Sequence, residues 1–486
     1  MVRSTILQIL SISIFSMMSV FKIIFKSGFL LTITLGLSLY FSKAFSPLSN
    51  NLKTAYLSVP KNTLDVVVLG SSHTQYGINP AVINNETGLY AYINASACQP
   101  MEVSYQMLKE SLKTQKPKVV LLDVFTMMPG QSVCYDESIY KLASDEMTGI
   151  EKINTLLYIE DKKIAFDYII SIRMYHQRWN EIDFNDLKIR NEDIPYDSFG
   201  YINLEPKEYV FKYLEPKSKK NKYELKEKDV ESLNKIKALC DENDIELLLI
   251  KTPFDIDQEN YDALMAIWDL ADDLDIEYLD LIDYTEEMDF AFGMDSETWH
   301  NTNWGAYKNS KLISEYLIKN YKFEHVDNEE VERNLNYLKN TTLYNMLLNQ
   351  VDPYKFMKYA SEFDCIILLK YNGFYKTTIG EYENELLNNM GFENDFIKNK
   401  KNNYYGVVSN GELIDFDDKE LITRVNGKKI VINKNNIEFN NQILKDTDGE
   451  LTIIVYGTDF SWNQNMNVDY SSRWFWKNGC LGWECK

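Results

Sequence analysis

Apolar positions fall into three regimes along this chain. Near the amino terminus, two uncharged runs, Ser4 to Phe21 and Ser27 to Phe41, flank a short stretch carrying Lys22 and Lys26. Each approaches the roughly 20 residues that a membrane-spanning helix needs, the second being somewhat short. The first run lacks a clear small-residue cleavage site, so the pattern predicts an uncleaved anchor of one or two spans rather than a removed signal peptide. Basic residues beside a span favour the cytoplasmic side. That tendency keeps Lys22 and Lys26 inside and carries everything after the second run outside.

The second regime begins at Asp65–Gly70 (DVVVLG), a continuous β-branched run ending in small residues, the mark of a buried parallel strand. Similar runs recur at Lys118–Val124, Ile245–Ile250 and Ile276–Ile282, with amphipathic stretches such as Val103–Leu112 between several of them. Strands alternating with helices predict an α/β domain built on a parallel sheet. A long, mostly helical and irregular insertion, at about 127–227, separates the second run from the third and reads as a lid or a substrate-binding subdomain. A closing helix over Ala306–Tyr321 places Leu312, Ile313, Tyr316 and Leu317 on one face, toward the sheet.

Beyond about His325 the pattern changes to an acidic helical stretch and then, from Asn403, to short strand-like segments. Asn410-Gly411 and Asn426-Gly427 are hairpin turn signals, and Lys429–Ile432 and Leu451–Tyr456 supply strands. With 486 residues to place, more than one folded unit is expected. The divisions are 1–45 for the anchor, 46–322 for the α/β domain with its insertion, and 323–486 for an accessory region, helical and then β-rich.

Charge narrows the partners. Fifty-one Lys plus Arg stand against 72 Asp plus Glu, and a net charge of -21 repels a phosphate backbone, so no nucleic acid is expected. Hydrophobic residues at 45% and aromatics at 13% argue for a folded chain. The six cysteines lack both CxxC and metal-ligand spacing, so no metal or other cofactor is expected. A Cys480–Cys485 disulfide and unpaired thiols are both open readings.

Candidate chemistry sits where the first strand ends. Gly70-Ser71-Ser72-His73-Thr74 puts a serine, Ser72 or Ser71, at the carboxyl end of a parallel strand, where open α/β sheets place their sites. A hydroxyl needs an imidazole within hydrogen-bond reach, itself oriented by a third group. His300, one of only four histidines, follows Asp295 and Glu297 and precedes Asn301-Thr302-Asn303-Trp304-Gly305-Ala306. It reads either as the base or as a cap on the closing helix.

Together the two blocks resemble the first and last signatures of SGNH (GDSL-like) hydrolases, in the form carried by membrane-anchored envelope proteins. Gly70-Ser71-Ser72 matches the nucleophile block, and His300-Asn301-Thr302-Asn303-Trp304-Gly305-Ala306 the base block, with Thr302 where asparagine is usual. Ile93-Asn94-Ala95 with Gln99-Pro100, Gln115-Lys116-Pro117-Lys118, Lys251-Thr252-Pro253 and Tyr175-His176-Gln177-Arg178-Trp179 add weaker matches. The resemblance spans about Asp65 to Lys322. It implies a flavodoxin-like three-layer sheet, Ser72 as nucleophile, His300 as base, and Glu297 or, with a local shift, Asp295 as the acid. The family's oxyanion glycine and Gly-x-Asn-Asp block are not recognisable. The Ser72 amide and the Asn94 side chain are the substitute oxyanion donors, Asn94 reading equally as a turn residue. His73 reads as a structural or substrate contact, and His176 and Arg178 as sugar or carboxylate contacts or as packed helix surface.

The implied activity is transfer or hydrolysis of an O-linked acyl group, acetyl first, on an extracellular or cell-wall glycan at the outer face of the cell membrane. For transfer, the resemblance to alginate O-acetylation and teichoic-acid D-alanyl transfer proteins implies a membrane-bound O-acyltransferase as partner. The rival is a non-catalytic glycan-binding or scaffolding protein retaining the fold, with Trp462, Trp474, Trp476 and Trp483 stacking on sugar or filling a core.

Overall fold

A computed structural model describes residues 21–38, 40–41, 56, 58–129, 147, 149–158, 162–169, 176–180, 198–205, 218, 221–348, 350, 352–373, 380–399, 401–444 and 451–468. Five strands, β1 (Val66–Gly70), β2 (Ala91–Ala95), β3 (Val119–Asp123), β4 (Glu246–Lys251) and β5 (Glu277–Asp280), form one parallel sheet in the order β2-β1-β3-β4-β5. Four of its strands are the predicted apolar runs, with β4 running one residue past the expected Ile250, and β2 was not among those runs. β1, β2 and β3 are buried throughout because helices cover both faces of a parallel sheet, so alternation is lost.

The helices of this part are α1 (Ser72–Gly77), α2 (Pro80–Thr87), α3 (Met101–Ser111), α4 (Gly149–Tyr158), α5 (Lys162–Ile169), α6 (Glu227–Glu242), α7 (Gln258–Asp273) and α8 (Asn303–Asn320). One packed group joins α3, α4 and α6; another joins α1, α2 and α8. The closing helix starts three residues earlier than the sequence reading, after Thr302 with its extended backbone. From β1 the chain steps to β2 on one side, then to β3 on the other. This reversal opens a crevice at the carboxyl ends of β1 and β3, the usual ligand position in such sheets.

Part of the insertion is tied to this crevice. The Ile93 amide donates to Phe199 O, Ile202 N to Gln75 O, and Asn303 N to Leu204 O. Cys98 is disulfide-bonded, while Cys240 and Cys365 are buried free thiols. Cys480 and Cys485 lie outside the described residues.

The accessory region contains α9 (Glu329–Leu347), α10 (Pro353–Glu362) and α11 (Glu381–Asn389). Its strands are β6 (Ile366–Tyr371), β7 (Tyr404–Ser409), β8 (Glu412–Asp417), β9 (Glu420–Val425), β10 (Lys428–Asn433), β11 (Ile437–Phe439), β12 (Gln442–Ile443), β13 (Leu451–Tyr456) and β14 (Asn463–Val468). They make two antiparallel sheets, β14-β13-β6-β7-β8 and β12-β11-β10-β9. Both Asn-Gly pairs turn hairpins with positive φ at each residue, 51° and 76° for Asn410-Gly411 and 49° and 76° for Asn426-Gly427. The sequence reading placed no strand before Asn403. In the structure β6 is the central strand of its sheet, fully buried among β13, β7 and the helices.

Three apolar cores result. One lies around the parallel sheet, and one between the two antiparallel sheets, where Leu368, Tyr405, Ile430 and Ile454 meet. The third joins Val82, Trp304 and Tyr307 of the α/β part to Leu343, Phe356, Leu369 and Ile453 of the accessory part.

At the amino terminus one helix, Phe21–Ser38, is long and apolar enough to cross a membrane and packs against nothing described. It includes Lys22 and Lys26, which the sequence reading set between two runs. No helix breaker stands there, and lysine is a good helix former. The first run, up to Val20, lies outside the described residues.

Candidate active site

Gly70 ends β1 with φ of 150°, and a Cβ there would lie 2.6 Å from the Asp123 Cβ. Glycine is what lets β1 and β3 approach at the crevice. Ser71 caps α1: its Oγ accepts from the His73 amide at 3.2 Å and donates to Asp123 Oδ2 at 3.0 Å. With Ser71 so engaged, Ser72 is the serine that meets the imidazole. Its Oγ lies 2.8 Å from His300 Nε2, across 228 residues of sequence. The Thr74 and Gln75 amides turn back to Ser71 O, which leaves the Ser72 amide as the first-turn donor beside the hydroxyl.

The block after His300 is a set of fastenings. Asn301 Nδ2 donates to Pro253 O at 2.6 Å, and its Oδ1 accepts from Asn309 Nδ2 at 2.9 Å. Thr302 Oγ1 donates to Met294 O, Asn303 Nδ2 to Asn345 O and Trp304 Nε1 to Met346 O. A side chain at Gly305 would run into the Asp295 carbonyl oxygen. The Glu297 amide donates to His300 O at 2.8 Å, closing the turn that aims the ring. Burial lowers the His300 pKa; Glu297 opposes that shift and Lys251 adds to it. The ring is thus held neutral, as a base requires.

The two candidate acids part company. Asp295 is buried, and its Oδ2 accepts from the Ala291 amide at 2.7 Å and Lys308 Nζ at 2.8 Å. Glu297 is exposed on the rim, and its charge favours the imidazolium form of His300.

Beneath the serine lie charged residues to which the sequence reading gave no role, Lys251 having entered only within the Lys251-Thr252-Pro253 match. Asp123 and Lys251, the last residues of β3 and β4, are fully buried with Oδ1 and Nζ 3.9 Å apart. Lys251 Nζ also reaches His73 Nδ1 at 3.1 Å and donates to Thr252 O at 2.9 Å. Asp280, beside Lys251 in register, is pushed up to about 7 by burial. The available signal was a charged residue ending an otherwise apolar strand, in VVLLD and ELLLIK. Phe125 stacks on His73 with ring centroids 3.4 Å apart, Phe254 meets it edge-on at 5.4 Å, and Tyr76 lies 4.7 Å from the His300 ring.

No family model matches this chain, and no curated protein matches it. Solved structures similar to it include a Bacteroides fragilis protein described as a candidate acylhydrolase, at 12% identity and TM-score 0.30, covering 56% of this chain and 99% of that one. A GDSL-like lipase of Bacteroides thetaiotaomicron is similar at 11% identity and TM-score 0.26, covering 53% and 88%. Likeness at that level carries no weight for activity. The weight falls on the Ser72–His300 geometry.

One other expected contact is placed elsewhere. Asn94 pairs with Leu69 in register, but its Nδ2 donates to Ser111 Oγ on α3 at 2.9 Å, so the side chain serves the sheet–helix layer instead of Ser72. His176 and Arg178 lie in a short 3-10 segment, His176–Asn180, and their side chains are outside the described residues. Trp462 packs on Tyr344, 5.5 Å between centroids, against the third core. Trp474, Trp476 and Trp483 are outside the described residues.

Proposed function

We propose that this chain is a serine-dependent enzyme that removes or transfers an O-linked acyl group, acetyl first, on an extracellular or cell-wall glycan. The observation that carries this reading is the 2.8 Å contact between Ser72 Oγ and His300 Nε2 at the mouth of the β1/β3 crevice. Ser72 Oγ attacks the ester carbonyl while its proton passes to His300 Nε2. The tetrahedral oxyanion forms next to the Ser72 amide. His300 returns the proton to the leaving alkoxide, and water or a sugar hydroxyl then takes the acyl group from Ser72 by the reverse sequence. Glu297 stabilises the imidazolium that appears in each step; Asp295 holds the loop through Lys308.

An apolar amino-terminal helix and a disulfide at Cys98 support a site outside the cytoplasm, since lasting disulfides belong to oxidising compartments. With no cytoplasmic thioester within reach there, transfer requires a membrane partner, a membrane-bound O-acyltransferase, to deliver the acyl group.

The test uses the full chain in detergent with p-nitrophenyl acetate, acetylated glycans and a serine-directed fluorophosphonate. Hydrolysis and labelling at Ser72 are expected, and Ser72→Ala should abolish both. Equal turnover by intact protein and Ser72→Ala would remove the nucleophile assignment. Labelling at Ser71 alone would move it by one residue.

A further inference from the structure

We propose that Lys251 is a positioning residue for the nucleophile, gripping the residues on either side of Ser72 and placing a positive charge beneath the reacting pair. This inference rests on the reading of Ser72 and His300 as nucleophile and base. Toward the residue before Ser72, Lys251 Nζ acts through Asp123: Oδ1 lies 3.9 Å from the ammonium, and Oδ2 accepts the Ser71 hydroxyl at 3.0 Å. Toward the residue after Ser72 it acts directly, at 3.1 Å from His73 Nδ1. The aromatic faces of Phe125 and Phe254 close around it, with centroids 5.1 and 4.6 Å from Nζ.

A leucine or methionine would occupy this buried position without the cost of desolvating an ammonium. Neither could do what the ammonium does to His73. An ammonium only donates, so His73 Nδ1 must accept, and the ring proton is confined to Nε2. That Nε2 is buried without a partner among the described residues, so Nδ1 makes the hydrogen bond that orients the ring against Phe125 and Phe254. The His73 and His300 rings are 5.5 Å apart. Two imidazoles so close would titrate as a coupled pair unless their environments held them apart. Burial first and Lys251 second hold His73 well below the ordinary imidazole range, leaving His300 to take the serine proton.

Every neighbouring charge enters the sign. His300 faces Glu297 on its own loop, Tyr76 and His73 from α1, and Lys251 from β4. Lys251 faces Asp123 from β3, Asp280 from β5 with Asp283 and Tyr278 behind it, and His73. Removing the lysine charge makes His300 easier to protonate, so the acid limb of activity moves to higher pH. A residue that only packed would change the rate and leave the limb in place.

The experiment follows fluorophosphonate labelling rates of the full chain from about pH 5 to pH 9, with Ser72→Ala as the control for Ser72-dependence. Lys251→Gln keeps a donor for His73 without the charge. Lys251→Met paired with Asp123→Asn removes both charges and avoids an orphaned carboxylate. Lys251→Arg keeps the charge. Lys251→Gln should shift the acid limb upward, toward the free imidazole value of about 6.5, and the double variant, which also removes the opposing Asp123 charge, should label on the order of ten- to a hundredfold more slowly. Lys251→Arg should keep the limb of the parent protein. A folded Lys251→Gln with an unmoved limb overturns the proposal, as does an equal shift in Lys251→Arg. Labelling that survives Ser72→Ala would instead overturn the underlying functional reading.

Discussion

Position decides the work of each polar residue around Ser72. Asp295 and Glu297 are two residues apart, yet one is buried against Lys308 and the other stands on the rim acting on His300. The two acids should therefore fail differently. Asp295→Asn removes the anionic partner of Lys308 and should cost about 2 kcal/mol of stability, read as an earlier denaturation midpoint. Glu297→Gln should leave stability nearly unchanged and slow turnover. Glu297 raises the His300 pKa, so losing it lowers that value further and moves the acid limb of the pH–rate profile to lower pH. A stability loss in Glu297→Gln with turnover intact would exchange the two roles. The serine and histidine were legible in the sequence because a strand end and a distant histidine block make chemical sense only together. Lys251 and Asp123 were not, because their meaning depends on β3 and β4 being adjacent, which no local pattern states.

Among the elements, the turn from β1 into α1 is tightly constrained. Gly70→Ala would force a methyl group toward Asp123 and a positive φ on a β-carbon residue. The expected cost is about 2 kcal/mol, seen as a lower melting temperature, together with loss of fluorophosphonate labelling at Ser72. Parental labelling in Gly70→Ala would show that the turn tolerates displacement. Strand identity in the parallel sheet was readable because buried parallel strands give unbroken apolar runs, and the Asn-Gly pairs announced their hairpins. β6 escaped because IILLKY carries no alternation and sits among helices, where a short apolar run reads equally as helix. Its partners β7 and β13 lie 33 or more residues beyond its end, so its pairing is a tertiary fact.

Across the whole molecule, the parts on either side of the sequence division at 322 share a core. Trp304 and Tyr307, on the helix that follows His300, share a core with α9, α10 and β6. A chain ending at residue 322 would expose that surface and release the Asn303 and Trp304 fastenings to Asn345 and Met346. It should aggregate on size-exclusion chromatography and lose Ser72 labelling. A chain beginning at residue 46 keeps all three cores and should stay monodisperse and reactive. A reactive, monodisperse chain ending at residue 322 would show that the carboxyl-terminal half is dispensable for the site.

Those fastenings also impose a schedule. Ribosomal synthesis delivers Ser72 early and His300 228 residues later. Two of the carbonyls that pin the histidine loop, those of Asn345 and Met346, belong to the last turn of α9, which ends at Leu347. Throughout most of its synthesis the nascent polypeptide therefore carries a hydroxyl no more aggressive than any other serine. Under the proposed function, reactivity arrives as a late event of maturation, once the last turn of α9 has been made.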